Sequence, residues 1–64
     1  MNSKPLNIML VEDEADYATL LEIFLAEAKD YQFKIEKYYK LRDALLSLEK
    51  NTPDIIILDL HLLS

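Results

Sequence analysis

Three carboxylates in this 64-residue chain stand where they could act on one ligand. Glu12 and Asp13 follow directly on the apolar run Leu6–Val11, and Asp59 follows directly on the apolar run Ile55–Leu58. Short continuous apolar runs of this kind suit strands buried on both faces. Parallel strands present their C-terminal ends along one edge of a sheet. Open α/β sheets bind ligands beyond that edge, at the point where strand order reverses. A strand order of 2-1-3 therefore brings Glu12, Asp13 and Asp59 together. Clustered carboxylates repel one another, and either a proton or a cation must relieve them. Mg²⁺ accepts carboxylate and carbonyl oxygens, keeps several waters and bridges to phosphate oxygens. An aspartate beside it can be the nucleophile that forms an aspartyl-phosphate, the metal offsetting charge on the transferred group. Asp59 is the expected phosphate acceptor.

Each of these residues also has a plainer reading. Glu12, Asp13 and Glu14 can cap a helix and complement its dipole. Asp59 alone can be a solvated strand-end residue. His61 reads as a loop residue, since one histidine makes no metal cluster, and its backbone carbonyl is the better candidate contributor. The pairing of acidic residues at matching ends of two buried strands is what favours a site.

The elements between the two runs alternate. Tyr17, Leu20, Leu21, Phe24, Leu25 and Ala28 recur at the spacing of one helix face. Asp13, Glu14 and Asp16 lie at its start, and Lys29 lies near its end, where a cation is favoured. Phe33 to Tyr38 alternates apolar and polar, as an edge strand with one wet face would. Leu41, Ala44, Leu45 and Leu48 mark a second helix, which Asn51-Thr52-Pro53 stops. The leucine stripes read as core, and Tyr31, Tyr38 and Tyr39 as packing or turn residues. The resulting order, strand-helix-strand-helix-strand, implies parallel strands joined by right-handed crossovers. Glycine is absent, which is unusual for an α/β protein.

Composition narrows the function classes. Hydrophobic residues make up 52% and charged residues 30%, a globular balance. The net charge is −5 with the basic residues scattered, which argues against nucleic-acid binding by this segment. No apolar stretch has the length of a membrane span, and no signal peptide is visible. The lack of cysteine rules out disulfide staples and favours a reducing, cytoplasmic setting. A chain this short buries only about 60% of its unfolded surface, so its core is marginal.

The sequence Asn7-Ile8-Met9-Leu10-Val11-Glu12-Asp13-Glu14, the helix over residues 17–28 and Pro53-Asp54-Ile55-Ile56-Ile57-Leu58-Asp59-Leu60 together resemble the receiver domain of two-component response regulators. The acidic pair and the "PDIIILDL" strand at this separation carry the resemblance, from Leu6 almost to the end. It implies the first half of a flavodoxin-like (βα)5 receiver fold, a parallel βαβαβ unit in strand order 2-1-3. It further implies that Glu12 and Asp13 bind Mg²⁺, directly or through water, and that Asp59 accepts a phosphoryl group from a sensor histidine kinase or phosphotransfer protein. The backbone carbonyl of His61 would be the third protein ligand to the metal. Such a domain assists its own phosphorylation and is not an enzyme in the usual sense.

The chain departs from the family pattern in two respects. Leu63 stands where the family usually has a proline. The Ser/Thr and Lys that end the family's fourth and fifth strands have no counterpart, and Ser64 is wrongly placed to replace the hydroxyl residue. The expectation is a partial receiver domain over residues 1–64, truncated after the third strand and not itself a competent switch. An unpaired apolar edge on the third strand would invite self-association. A non-catalytic pseudo-receiver, or a half-domain acting as an oligomerisation module, is the alternative.

Overall fold

The computed structural model describes residues 4–59 and residue 61. Its elements are β1 (Leu6–Val11), α1 (Ala15–Ala26), β2 (Phe33–Tyr38), α2 (Leu41–Leu48) and β3 (Ile55–Leu58). The strands form a parallel sheet in the order β2-β1-β3. This is the α/β arrangement and the 2-1-3 order expected from the alternation of the sequence. Register places Val11 beside Tyr38 on one side and Leu58 on the other, so the strands end at one level.

β1 is central, and its last four residues are buried. Alternation sends Met9 and Val11 to one face, where they cluster with Ala44 of α2 and with Tyr38, Leu48 and Leu58. The Tyr38 hydroxyl hydrogen-bonds to Ser47 Oγ at 2.7 Å, fixing β2 to α2. α1 is tied to β2 by Lys37 Nζ, which meets Glu22 Oε1 at 3.1 Å. The bond and charge of Glu22 raise the Lys37 pKa. β2 shows the alternating burial expected of an edge strand.

Three expectations need correction. On α1 the inward face is Ala18, Leu21 and Leu25, whereas Tyr17 and Leu20 are exposed and Phe24 is 72% exposed. Leu45 of α2 is exposed as well, so the leucine stripes are not wholly core. Apolar residues nearly surround α1, so spacing alone does not select its inward side. The small Ala18 lets the backbone approach closely there. Capping is also different: Glu14 is the N-cap but makes no side-chain cap bond, and its carbonyl accepts the Ala18 N–H at 3.1 Å. Lys29 lies beyond the last turn, which carries no basic residue. Finally, β3 is not buried on both faces, since Ile55 and Ile56 are 41% and 49% exposed at the edge of the sheet.

The missing glycine has a backbone counterpart. No described residue has positive φ. The helices close instead with tightened i→i−3 bonds, Glu27 N–H to Phe24 C=O at 3.2 Å and Lys50 N–H to Ser47 C=O at 3.0 Å. Such ends satisfy terminal carbonyls without a left-handed residue.

Candidate functional site

The site begins one residue past the ends of two neighbouring strands. The Glu12 N–H donates to the Tyr38 carbonyl at 2.9 Å, and the Asp59 N–H donates to the Val11 carbonyl at 3.1 Å. Both residues therefore leave the sheet with their backbones still anchored in it. Strand register, not loop conformation, sets the distance between their side chains.

Glu12, Asp13 and Asp59 each offer a carboxylate oxygen, and these oxygens lie within 4.8 Å of one another. The structure thus brings together the three carboxylates that the sequence placed at one sheet edge. Glu12 is 6% exposed, Asp59 is half-buried and Asp13 faces solvent. Among the described residues, no lysine or arginine forms an ion pair with any of the three.

The charges respond as electrostatics requires. Burial, together with the hydrogen bond to and the repulsion from Asp59, pushes the Glu12 carboxyl above its usual range. Asp59 moves the other way, held down first by the N–H of His61 and then by the hydrogen bond with Glu12. The donor set is all oxygen, anionic and short of positive charge, and so it fits a hard divalent ion.

His61 lies beside Asp59. Its N–H donates to Asp59 Oδ1 at 3.0 Å, and its ring Nδ1 stands 3.6 Å from the same oxygen. This contact was not anticipated from sequence, although an aspartate accepting the N–H two residues on is a recognised turn and gave a usable signal. A second missed contact lies at the other end of β3. Asp54 Oδ2 accepts the Asn7 N–H and the Asp54 N–H reaches the Asn7 carbonyl, both at 2.8 Å. Those residues are 47 apart, so no local signal announces the pair. Leu60, Leu63 and Ser64, which figured in the sequence comparison with the family pattern, lie outside the described residues.

Against known proteins, the chain is 36% identical over 55 residues to the regulatory protein VanR of Enterococcus faecium. That match covers 86% of this chain and 22% of the relative, so the chain spans about a fifth of the relative's length. No family model matches the chain, and no solved structure matches it.

Proposed function

Because the chain belongs to the receiver domains of two-component response regulators, we propose that Asp59 accepts a phosphoryl group from the phosphohistidine of a sensor histidine kinase or phosphotransfer protein. The observation that carries this reading is the convergence of Glu12, Asp13 and Asp59 within 4.8 Å at the edge where β1 and β3 end.

Each residue has a role that its placement supports. Asp59, kept ionised by the His61 N–H, is the nucleophile, its oxygen forming the new P–O bond as the P–N bond to the donor imidazole breaks. Glu12, Asp13 and Asp59 itself hold the cation, with the His61 backbone carbonyl as a further ligand. Mg²⁺, when bound, offsets the negative charge of the carboxylates and of the transferred group. The Glu12 and Asp59 backbones stay anchored to the sheet, so little reorganisation is asked of the site. A cytoplasmic setting and the absence of nucleic-acid contact by this segment belong to the same proposal. No helix among the described residues is long and apolar enough to cross a membrane.

The test is incubation of the full encoded polypeptide with acetyl phosphate and Mg²⁺, followed by intact mass measurement. One added phosphoryl is expected on the wild type, and none in EDTA or on Asp59→Asn. No adduct on the wild type would overturn the reading.

A second reading, a protein-interaction module without phosphotransfer, is favoured by the exposure of Ile55 and Ile56 on the β3 edge. Apolar sheet edges recruit other chains. Sedimentation showing a concentration-independent monomer with a cooperative melt would remove self-association through that edge.

A further inference from the structure

β3 is a strand whose register packing protects weakly. It is an edge strand of four residues, Ile55-Ile56-Ile57-Leu58, with Ile55 and Ile56 exposed. A one-residue slip ordinarily sends every side chain to the wrong face of a sheet, and burial forbids it. Here the slipped strand would hold Asp54 to Ile57 or Ile56 to Asp59 in the same four places, three of them apolar either way. Apolar burial therefore discriminates poorly between the observed register and its neighbours. The slip would nevertheless carry Asp59 about 3.3 Å along the sheet and turn it to the opposite face. The oxygens of Glu12, Asp13 and Asp59 meet within 4.8 Å only in the observed register.

What does discriminate lies one place before the ladder. Ile8 pairs with Ile55, and the place before it brings Asn7 beside Asp54. Asp54 Oδ2 accepts the Asn7 N–H and the Asp54 N–H donates to the Asn7 carbonyl, both at 2.8 Å. Slipped one way, the strand would put Pro53 there, with neither an N–H nor a side-chain acceptor. Slipped the other way, it would put Ile55 there, whose side chain accepts nothing. We propose that Asp54 is a positioning residue for phosphoryl transfer, its reciprocal bonding with Asn7 selecting the register that delivers Asp59 to Glu12 and Asp13. The inference rests on the reading of Asp59 as the acceptor. Asp54 acts from the far end of β3, five residues before Asp59, and has no part in holding the cation. A cation that binds the aligned register draws the strand back into place as it saturates. Loss of the clamp therefore weakens apparent affinity and not final occupancy.

The test uses the full encoded polypeptide as wild type, Asp54→Ala, Asp54→Asn and Tyr38→Phe. Mg²⁺ affinity is read by calorimetry, and phosphorylation by acetyl phosphate is followed against Mg²⁺ concentration. Asp54→Ala should lose about fivefold in apparent Mg²⁺ affinity, the fold-change that one net hydrogen bond represents. It should need correspondingly more Mg²⁺ for half-maximal rate and reach the same yield at saturation. Its amide resonances from Ile55 to Asp59 should broaden by exchange and sharpen again with Mg²⁺. Asp54→Asn, which keeps a side-chain oxygen to accept the Asn7 N–H, should restore the affinity. Tyr38→Phe, which loses a hydrogen bond elsewhere in the fold, should match the wild type in Mg²⁺ affinity. Should Asp54→Ala not fold, Asp54→Glu, which keeps the carboxyl but alters its reach, serves the same comparison. Wild-type affinity without the clamp, unchanged β3 linewidths, no restoration by Asp54→Asn, or an equal loss in Tyr38→Phe would overturn the proposal and leave the acceptor reading intact. No Mg²⁺ binding and no adduct on the wild type would instead overturn that reading.

Discussion

The carboxylates of the buried Glu12 and of Asp59 lie within 4.8 Å of each other, and their pKa values shift in opposite directions, Glu12 upward and Asp59 downward. Carboxylates brought this close cannot both carry full charge comfortably without a cation. The relationship arises from register. β1 and β3 end at one level, and each hands its next residue to the same side of the sheet edge.

A pH dependence follows. The folded pKa of Glu12 lies above its ordinary 4.5, so its contribution to stability is complete below that value and is lost as pH rises through the raised one. Asp59, lowered from its ordinary 3.8, contributes stability that is present above that value and is lost as pH falls through the lowered one. In EDTA, stability should therefore decline as pH rises above 4.5 and through the raised value on account of Glu12. Denaturant unfolding of Glu12→Gln should show a flatter profile across that window. An unchanged slope would exclude Glu12 as its source.

Mg²⁺ should act against that decline. An ion that binds only the folded chain stabilises it by mass action, by about 2.7 kcal/mol when its concentration is a hundred times its Kd. Melting temperature near neutral pH should rise with Mg²⁺ in the wild type and much less in Asp13→Asn. Equal rises in both would show that the ion binds away from Asp13.

Away from the site, Tyr38→Phe removes the bond from the Tyr38 hydroxyl to Ser47 between β2 and α2. The expected loss is about 1 kcal/mol, the usual net value of a partly buried hydrogen bond. It would appear as a lower urea midpoint with an unchanged slope. Asp54→Ala, which breaks the Asn7 contact, should behave similarly while leaving saturated Mg²⁺ binding alone.

The strand order and the site's three carboxylates were legible because both follow from period and position. Continuous apolar runs name central parallel strands, and the residue after each run must lie at the C-terminal edge. The orientation of α1 was not legible. Tyr17, Leu20 and Phe24 have helical spacing as good as that of Ala18, Leu21 and Leu25, and only docking on the sheet chooses between them. The same holds for β3, whose four apolar residues suggest burial on both faces although its place at the edge leaves two of them half in solvent. The contact of His61 with Asp59 depends on turn geometry two residues past a strand. Residue type suggests such a turn without fixing it.

The two apolar positions also separate in mutational cost. Leu10 is fully buried in the central strand, and Leu10→Ala should cost about 2–5 kcal/mol. Phe24→Ser, on the exposed side of α1, should stay within about 0.5 kcal/mol. Comparable losses from both, measured by chemical denaturation, would show that the outer side of α1 is covered in solution.

The most direct test of the account is the identity of the phosphorylated residue. After reaction with a small phosphodonor and Mg²⁺, borohydride reduces an acyl phosphate in place, and peptide sequencing by mass spectrometry locates the modified position. The account predicts modification at Asp59 alone, abolished by EDTA and by Asp59→Asn. Modification at His61, at another carboxylate, or at residue 59 with equal yield in EDTA would contradict it.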